Sequence, residues 1–268
     1  WPVAVTKTGA GTLTLTADNT YSGTTTAGAG GTLALGNAGG LGTGAVTVQG
    51  TLDLNGYSPT VAYLGGSGTV TCGVAGTSTL AVYQDWYWTT FAGVIEDGFG
   101  TVSLVKTGDG DFRLTGTNTY SGGTTVSAGA LYVGDNTASG TLGSGAVVNN
   151  ASLVFYRSGT ATIANAISGS GSVTQTGSGT LILLGSNTYT GATIIAPSVY
   201  QNATIQVGNG GTAGTLGSGT VTSDGDFEEY AQLVFNRSDG VTASNAVSGS
   251  VSVTIAAGST LRAGSSGG

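Results

Sequence analysis

The sequence predicts an all-β chain wound as a parallel β-helix, or β-solenoid, of about 12 coils. Three observations carry that prediction. One stretch occurs three times: KTGAGTLTLTADNTYSGTTTAGAGGTLALG at 7–36, KTGDGDFRLTGTNTYSGGTTVSAGALYVG at 106–134, and a longer form at 175–208. Its fixed points are a Gly-x-Gly turn, alternating Leu and Thr, and the triplets Asn19-Thr20-Tyr21, Asn118-Thr119-Tyr120 and Asn187-Thr188-Tyr189, spaced 99 and then 69 residues apart. Finally, 51 glycines are interleaved with 39% apolar residues that alternate with polar ones over short runs, the pattern of many short strands joined by tight turns.

In chain order, strands are expected at 12–16 and 32–35, with Leu13, Leu15, Leu33 and Leu35 on a buried face and Thr on the other. Leu13 to Leu33 is 20 residues and Leu114 to Leu131 is 17, intervals suited to one circuit that lays each strand over its predecessor. A second motif follows the first each time: Gly39–Val48 contains Gly-Leu-Gly-Thr-Gly-Ala-Val, which returns at Thr141–Val147 and Thr215–Val221. A closing strand pair ends each unit, at 52–54, 153–155 and 233–235. The chain therefore reads as one continuous body, 1–268, of compound units at approximately 1–105, 106–174 and 175–268. At about 20 residues per coil and 4.8 Å per coil, that body would be a rod of roughly 60 Å.

The first unit is the longest, and its extra length holds Tyr83-Gln84-Asp85-Trp86-Tyr87-Trp88-Thr89-Thr90-Phe91. Alternate residues cannot all face inward, so at least one of Trp86, Tyr87 and Trp88 is expected at the surface, as a carbohydrate-stacking or partner-docking platform. The structural alternative is an extra coil whose aromatics stack on neighbouring aromatics. In the third unit Pro197, within Ala196–Asn202, marks a corner or bulge. The pattern begins again after Thr254 and stops at Gly267-Gly268, which would leave an uncapped sheet edge open to pairing.

Charged residues make up only 7% of the chain, and 13 acids against 6 bases give a net charge of −7. Nucleic acid and anionic membranes are therefore not expected partners, since phosphate neutralisation needs clustered Lys and Arg. Lys7 and Lys106 share one repeat position and read as turn residues. Cys72 lies in a strand-like run and reads as a buried thiol. No apolar run reaches the length of a spanning helix and no signal-peptide pattern opens the chain, so membrane insertion by this segment is not expected. A start at Trp1 suggests a processed product or a fragment.

The chain has no histidine, which removes Ser-His-Asp and Cys-His arrangements and the usual zinc sites. The remaining candidates are carboxylates: Asp109 with Asp111, Glu96 with Asp97, and Asp224, Asp226, Glu228 and Glu229. Paired acids can cleave glycosides. Asp109 and Asp111, however, stand where the first copy has Ala10 and Thr12, in a turn that the repeat itself explains. The acids at 224–229 lack the Gly-Gly-x-Gly-x-Asp pattern of calcium-binding β-rolls and allow one weak surface site at most. Arg157 and Arg237 lie in matched segments and read as turn or stacking residues. Asn150, Asn202 and Asn236 head Asn-x-Ser/Thr triplets to which no role is given. No catalytic residue, metal site or cofactor is expected.

Several of these segments resemble the passenger-associated repeat of bacterial autotransporters: Lys106-Thr107-Gly108 with Gly110, the run Leu114–Val126, Ala128–Leu131, and Phe91–Ile95 just before the repeat. The resemblance implies a right-handed parallel β-helix, export by a type V route, and display at or beyond the outer membrane. Such passengers include adhesins, self-associating proteins and carriers of enzymatic domains. The chain lacks a C-terminal series of roughly ten-residue amphipathic strands of a translocating barrel, which points to a fragment or to a secreted protein that assembles differently. The expected function is a non-enzymatic, extracellular β-helix acting as an adhesin or self-association passenger. A structural subunit of a filament or sheath, polymerising end to end, is the alternative, and a polysaccharide-active enzyme is a third. Expected partners are other copies of the chain and a cell-surface glycan or host protein.

Overall fold

The computed structural model describes residues 2–197, 201–224, 230–256 and 258–263. Regular structure there is all strand, without a helix, and parallel strands stack as a β-solenoid of about 12 turns. The chain divides into two compact units, Trp1–Val133 with Ser139–Gly145 and Gly134–Ala138 with Ala146–Gly268. Trp1, Ser198–Tyr200 of the third-unit insertion, and Gly267-Gly268 lie outside the described residues.

In the first unit, strand Thr12–Leu15 pairs in register with Thr32–Leu35, and that strand with Thr51–Asp53, then Thr69–Thr71, then Val94–Ile95. The alternation of apolar and hydroxyl residues accounts for the result: Leu33, Leu52, Val70 and Ile95 stack inward with no exposure, while Thr12, Thr32, Thr51 and Thr69 form an outward column. Each buried aliphatic side chain contributes about 1.5–3 kcal/mol. Leu13 departs from the expectation, being 36% exposed, because its register partner among the described residues is Leu33 alone. The Leu114-to-Leu131 interval is also not a circuit: Leu131 sits over Phe112, and Leu114 under Val133.

The second unit repeats this logic. Strand Ser152–Arg157 pairs with Ser172–Thr176, and Thr160–Ile163 pairs with Thr180–Leu183, then Asn202–Val207, Tyr230–Phe235 and Val251–Ile255. Leu181, Ile205 and Leu233 form one buried column; Leu183, Val207 and Phe235 form another. Pro197 follows the strand Thr193–Ala196 and stays outside the ladder, where its missing N–H costs nothing.

The two recurring motifs prove to be two halves of one joint. Asn118 Oδ1 accepts the Ile95 N–H at 2.8 Å, from the coil before, while Asn118 Nδ2 donates to the Thr141 carbonyl at 2.7 Å, in the coil after. Thr141 Oγ1 accepts the Asn118 N–H at 2.7 Å and donates to the Asn118 carbonyl at 3.1 Å. Asn187 repeats the arrangement with Ile167 at 2.9 Å and Thr215 at 2.7 Å. Two residues on, the buried Tyr120 hydroxyl meets Thr124 Oγ1 at 2.7 Å, and that of Tyr189 meets Thr193 Oγ1 at 2.8 Å. Each ring lies against the glycine of the second motif: a Cβ on Gly143 would stand 2.4 Å from the Tyr120 ring, and one on Gly217 2.4 Å from Tyr189. The Leu-Gly-Ser-Gly motif follows Asn-Thr-Tyr in sequence because it is the next coil's surface for that asparagine and tyrosine.

The two lysines are turn residues in the literal sense. Lys106 is fully buried, and its Nζ donates to the carbonyls of Thr107, Gly108 and Ala128 at 2.9, 2.7 and 3.1 Å. Lys7 donates likewise to Thr8 and Gly9 at 3.0 and 2.6 Å. In the third copy Gln175 takes the position and donates to the Gly179 carbonyl at 3.2 Å. Burial pushes Lys106 down to about 8, against the upward pull of Asp111 and Asp109. Between that value and 10.5 the unfolded chain binds more protons than the folded one, so folding stability rises with pH across this window. Lys106→Gln, which reproduces the third copy's residue at this position, is expected to fold and to lose that rise. Chemical denaturation at pH 7.5 and pH 10 checks it, and equal pH slopes in the two proteins would contradict it.

Candidate adhesive surface

The aromatic segment is a corner that has outgrown its neighbour. Between strands Thr77–Tyr83 and Thr89–Phe91 the chain uses residues 84–88, whereas in the next coil only 108–110 separate Thr101–Thr107 from Asp111–Leu114. The surplus has to bulge outward. Its base is fixed: Gln84 is fully buried, its side-chain amide donates to Thr89 Oγ1, its N–H donates to the Thr107 carbonyl at 2.9 Å, and its carbonyl accepts the Gly110 N–H at 3.0 Å. The turn above lies so close that a Cβ on Gly108 would stand 2.0 Å from the Gln84 carbonyl oxygen, and Gly108 also holds a φ of +73°. Glycine is required there on both counts.

With the backbone held, the side chains point out. Trp86 is 84% exposed, Tyr87 73% and Trp88 66%, so all three reach the surface rather than the minimum of one. For Trp88, stacking on a neighbouring aromatic is replaced by stacking on a cation. The Arg113 guanidinium carbon sits 5.4 Å from the centre of the Trp88 ring and 5.3 Å from that of Tyr132. The register explains this: Arg113 lies over Thr90 and under Tyr132 on the outward face of the sheet. Each such contact contributes about 0.5–1 kcal/mol at an exposed site, enough to bias the orientation of Trp88.

Arg113 and Tyr132 were missed as surface residues, although the repeat carries the signal. Arg113 stands where the other copies have Thr14 and Ile182, and Tyr132 where the first copy has Ala34. Both are outward positions at which one copy departs from the others, beside a corner longer than that of the next coil.

Asp97 is committed to the joint between coils, accepting the N–H groups of Val102 at 2.8 Å and Ser121 at 3.0 Å. Burial raises its pKa, but these bonds outweigh burial and hold it below the usual carboxylate value. Asp109 is exposed in its turn and Asp111 half-buried on the strand that carries Arg113. Asp226, Glu228 and Glu229 lie outside the described residues. Among the described residues no group of three or more His, Cys, Asp or Glu side chains comes together to hold a metal. Arg157 and Arg237 play matched parts: one donates to the Ala138 carbonyl, the other to the Gly214 carbonyl and to Asp239 at 2.7 Å. Cys72 is buried, with Sγ 3.2 Å from the Val74 carbonyl and 3.3 Å from Ser78 Oγ.

Comparison with known proteins agrees with the repeat geometry. The passenger-associated-transport-repeat family matches residues 5–35, 104–133 and 173–196. These are the three Lys/Gln-Thr-Gly copies. Over 83 residues, the chain is 42% identical to the adhesin BmaC autotransporter of Brucella suis biovar 1 (strain 1330), a stretch covering 31% of this chain and 2% of that protein. The chain thus spans a small fraction of the relative's length. No solved structure matches it. The chain therefore carries three repeats of the kind found in autotransporter passengers, a family whose members are exported across the outer membrane to the cell surface.

Proposed function

We propose that this chain, as a passenger segment carried to the cell surface, is a non-enzymatic adhesin whose contact face is the corner at 84–88 with Arg113 and Tyr132. The observation behind this reading is the presence of three consecutive aromatics, each at least 66% exposed, on a backbone held from beneath. Leaving that much apolar area in water is unfavourable in isolation, and solvent-facing indoles have no core to pack. Trp, Tyr and Arg are also the residue types that dominate the energy of protein–protein contacts. A rigid base lowers the entropic cost of engaging a partner. The ligand class that fits is a protein on an apposed cell. The adhesin function of the Brucella relative is consistent with this reading.

The test is binding of the purified chain to target cells before and after protease shaving, alongside sedimentation of the chain alone. Trp86→Ala is expected to weaken binding by about 30-fold, as for a residue contributing ~2 kcal/mol, and shaving is expected to abolish it. Binding that survives shaving would move the ligand to a glycan. Dimerisation of the free chain that Trp86→Ala removes would instead make a second copy the partner.

A further inference from the structure

The second unit carries a groove whose chemistry differs from that of the aromatic corner. It encloses about 290 Å³ and is lined by Asn202, Thr204, Tyr230, Ala231, Gln232 and Ser252. These come from three successive strands, in which Asn202 lies beside Tyr230, Thr204 beside Gln232, and Gln232 beside Ser252. The inward neighbours Ala203, Ile205 and Leu233 are buried, which fixes the floor. Gln232 is held along the ladder: Nε2 donates to Thr254 Oγ1 at 3.1 Å, and Oε1 lies 3.5 Å from Thr204 Oγ1. Tyr230 stands 70% exposed at one end.

We infer that this groove binds a neutral oligosaccharide, with one pyranose ring stacked on Tyr230 and its hydroxyls bonded to Gln232, Asn202 and Thr204. An aromatic face takes the C–H side of a sugar ring, while amides and hydroxyls both donate and accept, as sugar hydroxyls do. The described lining residues carry no charge, so nothing among them compensates the desolvation of a uronate, sialate or phosphate group. The repeat supplies a contrast: in the coil before Tyr230 the same register position holds Asn202, so the aromatic is an addition to the strand pattern. This site rests on residues of the second unit and is independent of the reading given to Trp86.

Saturation-transfer NMR on the full chain tests it, with cellotetraose, maltotetraose, mannotetraose and, as the acidic control, tetragalacturonate. Transfer to at least one neutral tetrasaccharide is expected. Tyr230→Ala and Gln232→Ala are each expected to weaken it by about tenfold or more, while Tyr230→Phe, which keeps the ring, and Trp86→Ala retain it. Circular dichroism of each variant confirms the fold; Tyr230 is exposed enough to be removed without opening the core. Absence of transfer to every neutral probe, transfer to tetragalacturonate alone, or transfer that survives Tyr230→Ala would overturn the assignment. So would loss of transfer in Trp86→Ala, which would place the sugar at the aromatic corner.

Discussion

Tyr120→Ala is expected to destabilise the first unit by about 3–5 kcal/mol, the range for truncating a buried aromatic. The ring has no exposure, and its hydroxyl is paired with Thr124 Oγ1, itself buried. Truncation leaves a cavity and also strands a polar atom in an apolar stack. Burial raises the pKa of this hydroxyl, against the lowering effect of Thr124 and Gly143, so it stays protonated. Tyr120→Phe separates the two effects and is expected to cost about 1–2 kcal/mol. From the other side of the joint, Gly143→Ala is expected to cost about 3 kcal/mol, because its Cβ would stand 2.1 Å from the Tyr120 carbonyl oxygen as well as against the ring. Removing the ring does not clear that carbonyl, so Tyr120→Ala should not rescue Gly143→Ala. Gly30→Ala is the control: φ is +76° with open space around it, and backbone strain alone costs about 1 kcal/mol. Denaturation midpoints of the five proteins check the order. A Gly143→Ala protein as stable as Gly30→Ala would contradict the joint.

Asn118→Asp is the second large effect, and it should depend on pH. The amide gives its oxygen to the Ile95 N–H and its nitrogen to the Thr141 carbonyl, at 2.8 and 2.7 Å, in a site 4% exposed. A carboxylate satisfies the first bond but sets an acceptor against the Thr141 carbonyl. Protonation restores a donor, so the folded state holds this carboxyl above its unfolded value near 3.9. The unfolded chain then binds fewer protons than the folded one between the two values, and stability falls as pH rises through that interval. The expected loss is about 2–4 kcal/mol at pH 7 and much less at pH 4. Urea denaturation at both values, beside Asn118→Ala, decides it; a loss equal at pH 4 and pH 7 would show that the asparagine does not make both bonds.

The solenoid could be read from residues such as Leu33, Leu52 and Val70, because inward alternation is a property of the chain itself and survives any register. The joint between Asn118 and Thr141 could not, since the sequence shows the two motifs in succession but not that one coil sets them face to face. The 17-residue circuit failed for a related reason: Leu131 and Leu114 both face inward, and alternation cannot tell which inward residue lies above which. Corner length decides that, and corners vary from coil to coil. Exposure of Trp86, Tyr87 and Trp88 was legible only as a minimum, because a bulge frees neighbouring side chains from strand alternation. Arg113 went unnoticed because a single arginine on a strand looks like a solvated residue until the ring of Trp88 is placed beside it. Tyr230 was hidden in the same way, behind a strand whose neighbours are ordinary.

The most direct test of the adhesive corner is adhesion by bacteria displaying the protein, comparing wild type with Trp86→Ala/Trp88→Ala at equal surface levels measured by antibody. The corner is a bulge outside the core, so export and display are expected to be unchanged while adhesion falls to the level of cells lacking the protein. Adhesion that persists at the wild-type level, with both indoles gone and display intact, would contradict the assignment of this corner as the contact face.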